Sequence, residues 1–134
     1  MPAAYEAQYD NPRPQAQFLT QLVRGLASED IPIGYVVAAE DGAYRIATSD
    51  DGLADGVAVN KIGPEVHFIP NGLVEMGDWS EITGQTDLIP GSNYYLTADG
   101  RMDIIIPGSG WIVRVGKATS ERILNVTFNL RVML

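Results

Sequence analysis

Cysteine is absent from the 134 residues, and histidine occurs once, at His67. The first absence excludes a disulfide framework, a thiolate zinc site and a cysteine nucleophile, while leaving the redox compartment open. The second excludes a metal site built from several imidazoles. Positive charge is scarce: nine Lys and Arg stand against seventeen Asp and Glu, for a net charge of -8. Such a surface repels a phosphate backbone instead of displacing its counterions, so no nucleic-acid partner is expected. No apolar run comes near the roughly 18 consecutive residues of a membrane-spanning helix. The start, MPAAYEAQYDNPRPQAQ, has neither the basic nor the apolar segment of a secretory signal. The expectation is a soluble chain without a secretion signal and without a membrane partner.

Catalytic patterns are missing too. GxSxG, GxxxxGK[ST] and a GxGxxG after a strand do not occur, and Gly108-Ser109-Gly110 reads as a flexible loop. His67, within Glu65-Val66-His67-Phe68-Ile69, reads as a partly buried or interfacial strand residue. Glu29-Asp30, Glu40-Asp41 and Asp50-Asp51 are adjacent pairs in loops, whereas acid-base hydrolysis needs two carboxyls facing each other across a cleft. The stretch from Asp50 to Gly56 lacks the ligand spacing and closing Glu of an EF-hand. Trp79, Trp111, Tyr94 and Tyr95 read as core or subunit-interface residues before a sugar platform. No catalytic, metal-binding or cofactor-binding residue is assigned, no cofactor is expected, and the chain is not expected to be an enzyme.

What is present is β structure. Residues 1–14, with prolines at Pro2, Pro12 and Pro14 and tyrosines at Tyr5 and Tyr9, have no periodic apolar face and read as an extended arm. Residues 15–134 read as a single β-rich domain, since no internal linker divides them and a chain of this size buries roughly two-thirds of its unfolded surface. In 15–27, Phe18, Leu19, Leu22, Val23 and Leu26 have the spacing of one short amphipathic helix, which is the preferred reading, and the alternation of Phe18, Thr20 and Leu22 leaves a strand as the alternative. Beyond it, strands are expected near 34–39, 44–48, 56–60, 66–69, 73–76, 94–97, 102–106, 111–117 and 123–132. Asp41-Gly42, Asn71-Gly72 and Asp99-Gly100 tolerate positive φ and predict three hairpins. Ile104, Ile105 and Ile106 suggest burial on both faces, between a sheet and either a second sheet or another subunit. The fold class is therefore mainly β, a compact antiparallel sandwich or barrel with an extended N-terminal arm and at most one short helix.

Two blocks carry a resemblance. Ile31-Pro32-Ile33-Gly34-Tyr35-Val36-Val37, then Arg45-Ile46-Ala47-Thr48 and Gly56-Val57-Ala58-Val59, resemble a run in phage structural cement proteins. Leu88-Ile89-Pro90-Gly91-Ser92-Asn93-Tyr94-Tyr95-Leu96-Thr97, then Gly100, Pro107, Val115-Gly116-Lys117-Ala118 and Leu124, are similar to a module of phage capsid decorations, head fibres and tail fibres. The resemblance implies a viral structural protein of a tailed bacteriophage. It would be a homotrimer in the virion, bound to the major capsid protein on the outer capsid surface and locking capsomers together. A tail, fibre or baseplate β module, with a carbohydrate ligand, is the alternative that the second block also fits. On the decoration reading the arm lies along a neighbouring subunit or the shell: Pro2, Pro12 and Pro14 lower its ordering cost, Tyr5 and Tyr9 offer contact surface, and Arg13 meets an acceptor.

Overall fold

Apolar runs without alternation, such as Val36-Val37-Ala38 and Val57-Ala58-Val59, require strands covered on both faces. The computed structural model, which describes residues 5–6 and 22–133, provides that cover with two sheets and two hydrophobic clusters. Strands β2 (Val23–Leu26), β3 (Val36–Glu40), β4 (Ala43–Ile46), β5 (Gly56–Ile62) and β6 (Glu65–Ile69) form an antiparallel sheet in the order β2-β6-β5-β3-β4. The second sheet holds β1 (Tyr5–Glu6), β7 (Gly72–Glu75), β8 (Asn93–Leu96), β9 (Met102–Asp103), β10 (Trp111–Ala118) and β11 (Ile123–Met133). Its order is β1-β7-β11-β10-β8-β9, antiparallel except for β1 beside β7.

The larger cluster lies between the sheets. Val36, Ala38, Val57, Val59 and Ile69 meet Val74, Leu96, Val113, Val115, Leu124 and Val126 there. Trp79 is wholly buried against them, and its Nε1 donates to the Arg122 carbonyl at 2.9 Å, which satisfies the indole's one polar group. The smaller cluster, Ile31, Val37, Ala58, Val66 and Phe68, fills the opposite face of the five-stranded sheet. That sheet curls until its edges touch: Ala27 bridges Tyr44, and the Ser28 amide donates to the Tyr44 carbonyl at 2.8 Å. Each of these buried strands thus divides its residues between two cores. Val36 and Val37, or Val57 and Ala58, point to opposite clusters, as the two-residue period demands.

Several sequence expectations change. Within 15–27, the stretch Val23–Leu26 is strand β2, paired antiparallel with β6, and 15–21 lie outside the described residues. Gly25 explains the outcome: it weakens a helix, and in the strand its missing side chain admits the Tyr44 ring, which a Cβ would strike. The one short helix among the described residues is α1 (Ser80–Thr83), ended by Gly84 in the left-handed region. Asp41 and Gly42, both at positive φ, make the expected β3–β4 hairpin, and Asp99-Gly100 joins β8 to β9. Asn71-Gly72 does not close a hairpin: β6 and β7 belong to different sheets, and the chain crosses between them there. The β5–β6 hairpin is instead turned by Gly63-Pro64, with Ile62 opposite Glu65 and Gly63 at positive φ.

The expected strand over 102–106 stops at Asp103. The Asp103 carboxylate accepts the Ile105 amide at 3.1 Å, a local bond that competes with the sheet ladder and turns the chain out of it. Ile104, Ile105 and Ile106 are consequently exposed, at 41%, 71% and 50%, which corrects the expectation that this chain buries them between its own sheets.

Candidate interaction surface

The isoleucine run forms one side of a groove of about 770 Å³, with Asp103, Ile104 and Ile105 facing the segment from Gln85 to Pro90. That segment has almost no regular structure, yet it is firmly tied. The Leu88 amide donates to the Glu121 carbonyl at 2.8 Å, and the Trp79 amide to the Thr86 carbonyl at 3.0 Å. The Ile89 amide donates to the Tyr94 hydroxyl oxygen at 2.8 Å. Pro90-Gly91 makes a tight turn, closed by the Ser92 amide on the Ile89 carbonyl at 3.1 Å, with Gly91 at positive φ. Leu88 is buried and anchors the segment, whereas Ile89 points outward and is half exposed. The groove is therefore preformed, with Ile89 on one wall and Ile104 and Ile105 on the other. Its described lining residues include three carboxylates, Asp87, Asp103 and Glu121, and neither Lys nor Arg.

Nearby, the β8–β9 hairpin is fastened by charge. The Thr97 hydroxyl donates to the Asp99 carboxylate; this bond, aided by the Arg101 amide and charge, holds Asp99 below its ordinary value against the opposing effect of burial. Arg101 Nη2 reaches the Ser80 carbonyl at 3.4 Å and links the hairpin to α1. Tyr35 donates to Glu81 at 3.3 Å, and burial, followed by the Glu81 carboxylate, pushes its phenol up.

The residues weighed for chemistry are not brought together. His67 is 7% exposed on the face of β6 away from Val66 and Phe68; its Nε2 finds no hydrogen-bond partner among the described residues and lies 3.6 Å from Glu65. The acidic pairs tie loops to strands. Glu29 accepts the Ile46 amide at 2.9 Å, Asp30 pairs with Lys61 at 2.9 Å, and Glu40 and Asp51 both engage Arg45. These carboxylates are more engaged than plain loop charge, although exposed pairs of this kind contribute only about 0–1 kcal/mol each. Among the described residues, no three His, Asp or Glu side chains are grouped to hold a metal ion. Trp79 is core, and Trp111 is partly covered by Gly52 and by the Arg131 guanidinium, 4.4 Å from its ring centre. Tyr94 is buried while Tyr95 faces the other side of β8.

Of the arm residues expected to contact a neighbour, Pro2, Tyr9, Pro12, Arg13 and Pro14 lie outside the described residues. Tyr5 is described by its backbone, which pairs in parallel with Val74 of β7 in the same chain. Sequence reasoning missed Ile89, Asp87 and Glu121 as surface-forming residues. The available signal was Leu88-Ile89-Pro90-Gly91, where a turn beside two apolar residues leaves one of them outside. Compared with known proteins, the chain matches no family model, no curated protein and no solved structure.

Proposed function

We propose that the chain is a decoration protein of a tailed-bacteriophage capsid, acting without turnover or cofactor, as a homotrimer on the outside of the head against the major capsid protein. The observation that carries the protein-binding part is the preformed groove with Ile89, Ile104 and Ile105 held outward along it. Exposed aliphatic side chains grouped on a fixed frame are costly in water and characteristic of a surface that another protein covers. The capsid part draws on the two sequence blocks described above and on the acidic charge, which suits the outside of a DNA-filled shell.

The test is co-sedimentation of the purified protein with heads assembled from the major capsid protein of the same genome and stripped of outer proteins. Saturable binding at micromolar concentration is expected, with the free protein sedimenting as three subunits. Absence of binding to such heads overturns the decoration reading, and a free monomer that also binds as single copies overturns the trimer.

A further inference from the structure

We propose that the groove between residues 85–90 and 103–105 seats a segment of a different protein, one carrying aliphatic side chains flanked by Lys or Arg. The inference rests on the reading that the chain acts by binding protein, and it names the chemistry of the partner segment. Ile89, Ile104 and Ile105 supply apolar walls on both sides, and Tyr94 and Leu88 hold one wall in place through backbone and core contacts. A partner's aliphatic side chain entering between these walls loses water on both flanks, as anchor residues at interface centres do.

Charge decides between occupants. Asp87, Asp103 and Glu121 line the groove without a described base, in a chain of net charge -8. A second copy docked groove to groove would set carboxylates against carboxylates, and one docked head to tail, as in a trimer, would bring a chain of net charge -8 to the same acidic walls. A Lys- or Arg-bearing segment instead gains attraction and faster encounter. The groove's anchoring hydrogen bonds are present before any partner arrives, so little ordering cost opposes docking.

The experiment titrates the full chain with a short synthetic peptide of alternating Lys and Ile, and with a copy in which Glu replaces each Lys, following backbone amides by NMR. The Lys peptide should shift amides at 87–90 and 103–105, and its affinity should fall several-fold between about 0.01 and about 0.15 M ionic strength. The double variant Ile89→Ser, Ile105→Ser, whose side chains are half or more exposed and whose thermal midpoint should be near that of the parent, should bind about tenfold more weakly. Asp87→Lys with Glu121→Lys should abolish the preference for the Lys peptide. Equal binding of the Glu peptide, or shifts confined to another face, overturns the proposal. So does self-association that Ile105→Ser dissolves, because the occupant is then a second copy. Head binding separates the two readings. If heads bind the parent and the double serine variant alike, the groove assignment fails and decoration stands. If the peptide occupies the groove but heads bind nothing, decoration fails and the groove stands.

Discussion

Position 116 shows how much one missing side chain decides. Gly116 sits where the β10 register shifts between Arg114 and Gly116, and a Cβ there would run into the Asn125 carbonyl and crowd the Val126 Cα on the paired strand. Both obstacles are backbone, so neither can swing away. Gly116→Ala is expected to cost about 1–3 kcal/mol, the range of overpacking in a fixed surround, read as a lower urea midpoint with an unchanged slope. Gly108→Ala is the matched control: no described residue lies within 4 Å of its Cβ position, and removing a glycine's freedom from the unfolded chain should leave stability equal or slightly higher. Equal losses at both sites would mean that close approach of β10 and β11 is not what requires Gly116.

At the scale of elements, the β8–β9 hairpin owes its closure to Asp99, whose carboxylate accepts the Thr97 hydroxyl and faces the Arg101 amide. Because the folded state lowers the Asp99 pKa, the ionised form is favoured by folding. Its contribution is therefore full above the unfolded value near 3.8 and is lost as pH falls through the lower folded value. Asp99→Ala should be less stable than the parent at neutral pH, and the gap between the two stability curves should narrow as the pH falls below about 4; a gap that does not narrow at all on acidification would assign the loss to packing alone. Strand positions were legible because β-rich runs such as Glu65-Val66-His67-Phe68-Ile69 and Trp111-Ile112-Val113 carry their own propensity, and Asp41-Gly42 carries its own turn. Sheet membership was not, since Asn71-Gly72 has the same local chemistry whether the next strand folds back or crosses to the other sheet. The groove was illegible for a related reason. One wall, 85–90, is fixed by the bond from the Leu88 amide to the distant Glu121 carbonyl, and in the other Asp103 overrides the strand tendency of three isoleucines by bonding its own neighbour.

For the whole molecule, the open question of edges centres on β7. It pairs with β11 on one side and with the two residues of β1 on the other, so the start of the chain covers a backbone edge that would otherwise face outward. Two residues of parallel ladder are a small addition to a core that spans both sheets, each net hydrogen bond contributing about 0.5–1.5 kcal/mol. Deleting residues 2–14 should therefore leave the β fold intact by circular dichroism, with a modestly lower thermal midpoint. The specific effect should appear in hydrogen exchange: amides of Gly72–Glu75 that point away from β11 should lose protection, while those paired to β11 keep it. The newly open edge also offers unpaired donors and acceptors to other chains, so the truncated protein should associate more strongly with rising concentration than the parent. Unchanged exchange across Gly72–Glu75 would mean that β1 is not a working strand in solution, and global unfolding on truncation would mean that the arm contributes to the core itself.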